Sequence, residues 1–235
     1  MGKTLFFDID DTLYDQLTPF KLAFRKKFKN INLDIEKLFK LSRKISDELF
    51  NLTEDNIMSL DDMHVHRIQK AMESFGVKIN YDMALDFQKE YLKNQMKIKL
   101  SKEMEEILSI ISSKDIEIGI ISNGPSNHQR KKIEILKLER FIPKQNIIIS
   151  SEVGVSKPDY SIFKIAEKKL KLSSNINEIY YIGDSLQNDI IPTKNIGWKN
   201  IWMDRRGNNK YTNTIEYDYV VTNDKELRNL INKIL

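Results

Sequence analysis

Cysteine is absent from the 235 residues of this chain. That excludes disulfides, thiolate metal sites and cysteine nucleophiles, and it fits a reducing cytoplasm, where the protein is expected to work. Histidine is scarce: His64, His66 and His128 are the only three. His64 and His66 are two apart on an expected helix and so face different sides, which rules out the i, i+4 zinc pair. His128 reads as part of a surface helix start. No apolar run approaches the roughly 18 residues of a membrane span. The opening Met1-Gly2-Lys3-Thr4 enters an apolar stretch too short for a signal peptide, and Phe6 stands where myristoylation wants serine or threonine. An excess of one charge is missing too. The net charge is +4, with 38 basic residues interleaved among 34 acidic ones. A nucleic-acid binder needs a basic stripe with aromatics, so neither a nucleic-acid polymer nor a membrane is an expected partner. A mild positive balance suits small anionic substrates.

Two kinds of sequence are present. Short, nearly continuous apolar runs cover Thr4 to Phe7, Ile116 to Ile121, Ile147 to Ile149, Ile179 to Ile182 and Asn200 to Met203. Runs of this length and composition predict strands buried on both faces. Helical patterns such as Met104-Ile107-Leu108-Ile111 and Ile162-Ile165-Ala166-Lys169 separate them, so the expected fold class is α/β, a doubly wound parallel sheet. Between about Asp15 and Met96 the pattern changes. This stretch has one proline, Pro19, and one glycine, Gly76. Its apolar residues recur at helical spacing, as in Phe20-Phe24-Phe28 and Met83-Phe87-Tyr91. Ser59 followed by Asp62, and Asn80 after Gly76, read as helix start and stop signals. The expected organisation is a core of residues 1–15 and 97–235 with a bundle of about four helices, residues 16–96, inserted after the first strand.

Four polar clusters follow predicted strands or turns, where parallel sheets bind ligands. The first is Asp8-Ile9-Asp10-Asp11-Thr12, and the second is Ser122-Asn123-Gly124. The third is Lys157-Pro158, and the fourth runs Gly183-Asp184-Ser185-Leu186-Gln187-Asn188-Asp189. Singly, each could be a turn or a helix cap. Two carboxylates and a hydroxyl delivered by one apolar strand are costly unless something cationic binds there. It is the order that rejects four coincidental turns: acid pair, hydroxyl, lysine, acid pair.

In that order the motifs resemble the haloacid-dehalogenase superfamily, and they cover about two thirds of the chain. The helical insert resembles the family's type-one cap. The stretch Ile118 to Phe163, with Ser151-Glu152-Val153-Gly154-Val155-Ser156-Lys157-Pro158, looks most like the small bacterial nucleoside-monophosphate phosphatases. The resemblance implies a Mg²⁺-dependent phosphatase of small phosphate monoesters that works through an aspartyl-phosphate on Asp8. By the same resemblance Asp10 is the general acid/base, and Asp8, Asp184 and the main-chain carbonyl of Asp10 hold Mg²⁺. Thr12, Ser122, backbone amides near Asn123, and Lys157 would hold the phosphoryl group. Asp189 would stand behind them, orienting Lys157 or a metal water. The family's dehalogenases lack an acid at the position of Asp10, so ester hydrolysis is favoured over dehalogenation.

A phosphomutase on sugar phosphates would use the same phospho-aspartate, and the sequence leaves it open. A phospho-acceptor signalling domain is a poorer fit, because its accepting Asp lies on a middle strand, where this chain has Ser122. Asp11 and Asp15 are read as exposed or capping residues, Phe20 as cap core, and Trp198 and Trp202 as packing. The expected partner is a small phosphorylated metabolite, and the expected state a monomer or weak homodimer.

Overall fold

The computed structural model describes residues 2–54, 57–114, 116–172, 177–208 and 216–235. It comprises two compact units: Met1–Asp15 with Lys99–Leu235, and Gln16–Ile98.

The first unit is built on a six-stranded parallel sheet in the order β3-β2-β1-β4-β5-β6. The strands are β1 (Gly2–Phe7), β2 (Glu117–Ser122), β3 (Ile147–Ile149), β4 (Asn177–Gly183), β5 (Lys199–Met203) and β6 (Tyr219–Val221). Five of them fall on the apolar runs picked out above. β6 was not anticipated, because three residues, of which only Val221 is buried, give too short a pattern to read. The sheet's interior explains the run composition: Leu5, Phe6, Phe7, Ile120, Ile121 and Ile182 are fully buried. Phe6 stacks on Trp198 at 5.2 Å, and Trp198 meets Phe163 edge-on at 5.6 Å, so this tryptophan packs as expected. A side chain at Gly119 would collide with the Phe6 ring at 2.5 Å, which is why a glycine interrupts β2. The strand order reverses at β1, and open α/β sheets bind ligands at such a point.

The second unit contains α1 (Leu17–Lys27), α2 (Ile35–Glu54), α3 (Leu60–Ser74) and α4 (Tyr81–Gln95). The Ser59 hydroxyl accepts from the Asp62 amide at 3.0 Å and the Asn80 side chain from the Met83 amide at 2.9 Å, so both start signals are real caps. Gly76 takes φ +78°, the left-handed conformation that ends α3. The unit's core is aromatic: Phe20 lies 5.3 Å from Phe39, 5.1 Å from Phe87 and 5.6 Å from Tyr91, all edge-on. Among the described residues no helix is long and apolar enough to cross a membrane.

Candidate active site

Asp8 follows β1 directly, and its amide still donates to the Ile182 carbonyl of β4 at 2.9 Å, so the sheet fixes its backbone. Its side chain is buried. Lys157 approaches from the loop after the short helix Ser150–Val153 and donates to Asp8 Oδ1 at 2.8 Å and Asp189 Oδ1 at 2.6 Å. It also donates to the Tyr181 hydroxyl at 2.8 Å, and that hydroxyl in turn donates to the Ile121 carbonyl at 2.8 Å. These three acceptors match an ammonium's three protons. Burial works against the charge on Lys157, but Asp189 and Asp8 outweigh it and hold the lysine well above its usual range. Burial raises Asp8 to about 6; Lys157 offsets part of this, and Asp189 and Asp10 add to it.

β4 ends at Gly183. A Cβ there would come within 2.4 Å of Asp189 Oδ2, so glycine is required for that acid to come in behind the strand end. The Ser185 hydroxyl caps the following π turn, Leu186–Ile190, and the Ser185 amide donates to Asp189 Oδ2 at 3.0 Å. The Trp202 indole donates to the Asp184 carbonyl at 2.9 Å, so this tryptophan packs and also anchors a strand end. Carboxylate oxygens of Asp8, Asp184 and Asp189 lie within 4.8 Å of one another. Hard oxygen donors in a group of this kind fit a divalent cation such as Mg²⁺, and three clustered acids with one lysine favour one. Asp189 therefore meets both Lys157 and the acid cluster.

Thr12, in the loop that follows β1, and Ser122, the last residue of β2, are both buried, and neither hydroxyl oxygen has a hydrogen-bond partner. Burying an unpaired hydroxyl is costly, so a group that would pair with both is the natural explanation. The Asn123 side chain is committed elsewhere: it accepts from the Lys157 amide and donates to the Lys157 carbonyl, each at 2.8 Å. Any contact of Asn123 with a ligand falls to its backbone, while its side chain brackets the lysine.

The Asp10 carboxylate belongs to a different set of contacts. Lys132 donates to its two oxygens at 2.7 and 2.6 Å, Gln129 donates to one at 3.1 Å, and the Tyr14 hydroxyl donates to the other. Asp11 corrects the expectation of an exposed or capping residue. It is buried at φ +57° and grips the Arg206 guanidinium through both oxygens, at 2.9 and 2.5 Å. Arg206 also pairs with Asp15, and Arg205 donates to the Asp11 and Thr12 carbonyls at 2.9 and 2.8 Å and pairs with Asp224. Burial opposes the Arg206 charge, but Asp11 and Asp15 outweigh it and raise its proton affinity further.

Sequence reasoning missed Lys132, Gln129, Tyr181, Arg205 and Arg206. Tyr181 lies on a predicted strand beside a second tyrosine, Tyr180, so nothing local marks its hydroxyl as the one that meets Lys157.

Comparison with known proteins comes to the same place. A glyceraldehyde 3-phosphate phosphatase of Methanothermobacter thermautotrophicus is 30% identical over 206 residues, covering 84% of this chain and 83% of the relative. The magnesium-bound structure of the putative HAD-hydrolase YfnB from Bacillus subtilis covers 98% of this chain and 99% of its own, with a TM-score of 0.71 at 23% identity. The L-2-haloacid dehalogenase of Xanthobacter autotrophicus covers 99% of both chains with a TM-score of 0.73 at 15% identity, a likeness of fold alone. The family described as haloacid dehalogenase-like hydrolase matches residues 5–203. With a match over most of its length, this chain belongs to the haloacid dehalogenase-like hydrolase family.

Proposed function

We propose that this protein is a Mg²⁺-dependent phosphatase of small phosphate monoesters, with Asp8 as nucleophile and Asp10 as the proton-transfer residue. The observation that carries the reading is the pair of buried, unpartnered hydroxyls, Thr12 in the loop after β1 and Ser122 at the end of β2, together with a lysine-paired aspartate after β1. Such hydroxyls donate well to the oxygens of an oxyanion, and it is the Asp10 carboxylate that favours a phosphate ester over a 2-haloacid.

In the first step a carboxylate oxygen of Asp8 attacks phosphorus and the bond to the ester oxygen breaks. Asp10, in its protonated form, supplies the proton that the departing alkoxide needs, and is left as the carboxylate that Lys132 holds. In the second step water attacks the same phosphorus, its proton passes to Asp10, and phosphate leaves with the Asp8 carboxylate restored. Lys157 balances the charge of Asp8 and fixes its orientation throughout. A Mg²⁺ held by Asp8, Asp184 and Asp189, with the Asp10 carbonyl as a further ligand, would neutralise charge on the transferring group.

The name of the archaeal relative supports a three-carbon phosphate ester as substrate, and the sequence resemblance supports a nucleoside 5′-monophosphate. Both are small monoesters. A dehalogenase reading draws on the shared fold, but the Asp10 carboxylate, held by three donors, counts against it.

The test is phosphate release from glyceraldehyde 3-phosphate, nucleoside 5′-monophosphates and sugar phosphates, with Mg²⁺ and with EDTA. Release should require Mg²⁺ and fall by about 10⁴-fold or more in Asp8→Asn. Activity that survives EDTA or that substitution, or halide release from 2-chloropropionate instead, would overturn the assignment.

A further inference from the structure

Asp8 and Asp10 lie two residues apart in one loop, close enough for the charge on Asp10 to raise the proton affinity of Asp8. A divalent cation draws in any carboxylate that can reach it, so the chain has to keep the two acids apart. Among the described residues the acids that gather are Asp8, Asp184 and Asp189, and Asp10 is not one of them. Resting on the phosphatase reading above, we infer that Lys132 is a positioning residue: by holding both oxygens of Asp10, it keeps that carboxylate out of the metal-ligand group.

Lys132 and Gln129 come from α5 (Ser126–Ile135), the helix that follows the Ser122-Asn123-Gly124 turn. Gln129 donates one hydrogen bond to Asp10 and another, at 2.7 Å, to the Asn123 carbonyl, so it ties the clasp to the turn. Lys132 and Gln129 are both buried. Their neighbours on the helix behave differently. Arg130 pairs with Glu152 and Lys131 with Glu134, both near the surface, as a solvated basic helix should. Lys132 alone of the three basic residues turns inward, and its ammonium meets both oxygens of one carboxylate at 2.6–2.7 Å.

Removing that ammonium would take away the charged donor that grips both oxygens of Asp10, Gln129 and Tyr14 each reaching only one, beside a site built for a cation. The carboxylate would then turn to the metal. That gives two effects of opposite sign, whereas simple structural damage would weaken both metal binding and catalysis. Ligand charge count sets divalent-cation affinity, so the variant should bind metal more tightly. Proton transfer should suffer at the same time, because the acid is no longer where the leaving group needs it.

The experiment is Mn²⁺ binding by calorimetry in the absence of substrate, together with steady-state hydrolysis of the best ester from the screen. Lys132→Met should bind Mn²⁺ about tenfold more tightly, by the added ligand charge. Its kcat should fall about 10- to 100-fold, with KM changing much less. Lys132→Arg, which keeps a two-oxygen grip, should return both the Mn²⁺ affinity and kcat most of the way to the wild-type values. In Asp10→Asn/Lys132→Met the tighter binding should vanish, since no carboxylate remains to swing. Lys132→Gln serves if the methionine variant does not fold. Mn²⁺ affinity that is unchanged or weaker in the folded single variants would overturn the inference, as would tightening that persists in the double variant. A wild-type protein without Mg²⁺-dependent phosphatase activity would instead overturn the functional reading, because the calorimetric measurements need no turnover.

Discussion

In the helical unit, Phe20 is ringed by Phe39, Phe87 and Tyr91 in an aromatic and aliphatic core, beside which the buried Arg67 donates to Ser46 and Gln88. The α/β unit packs Phe6, Tyr181, Trp198 and its isoleucines as densely, yet at the carboxyl ends of its strands it also buries Asp8, Lys157 and Asp189 against one another. The first interior is what stability favours. Charges removed from water are recovered only through tight pairing, and a hydrophobic replacement of similar volume often does as well or better. A fold that gathers Asp8, Lys157 and Asp189 at the carboxyl ends of its central strands, where strand order reverses, keeps them for chemistry.

That contrast can be broken or sharpened by stability measurements. The largest effect is expected in the helical unit. Phe20→Ala removes the hub of the aromatic cluster and should cost about 3–5 kcal/mol in urea unfolding. A loss under about 1 kcal/mol would mean that the cluster is not what holds this unit together.

The next effect belongs to Asp8. Its carboxyl rises from 3.8 to about 6 on folding, so between those values the native state binds more protons than the unfolded one. The stabilisation is therefore fully present below pH 4 and is lost as pH climbs through 6, a loss on the order of 3 kcal/mol. Metal-free wild type should show that decline relative to Asp8→Asn in unfolding experiments across pH 4 to 7. Parallel profiles for the two proteins would contradict the burial argument.

The smallest effect concerns Ser122. Since its buried hydroxyl has no partner, Ser122→Ala should leave stability unchanged or raise it by about 1 kcal/mol. The same change should raise KM for the phosphate ester. Destabilisation by more than about 1 kcal/mol would show that the hydroxyl serves the fold, and the two interiors would then differ less than they seem to.

Much of this site could be read from the chain because each chemical group follows a strand written in plain apolar letters. Asp8 comes straight after Phe6-Phe7, Ser122 after Ile120-Ile121, and Asp184 after Ile182-Gly183. What could not be read is how these groups are supported. Lys132 lies in the run Arg130-Lys131-Lys132, where nothing local distinguishes the inward residue from two solvated ones, and its partner Asp10 is 122 positions away. Arg205 and Arg206 reach back 193 to 195 positions to the β1 loop. Such pairs are set by the stacking of strand ends in three dimensions, which no local period encodes. The misreading of Asp11 has the same origin, since its burial depends on Arg206. The four-helix pattern of the insert was legible for the opposite reason: its caps and its apolar stripe are local.

The arginine pair after β5 has a further consequence. Arg205 and Arg206 hold the carbonyls of Asp11 and Thr12 and both oxygens of Asp11, so the segment that follows Asp10 is ordered as part of folding. A ligand reaching the Thr12 hydroxyl meets a backbone whose conformational entropy has already been lost. Affinity at this site is then free of a loop-ordering term, and discrimination among ligands rests on the groups the loop presents.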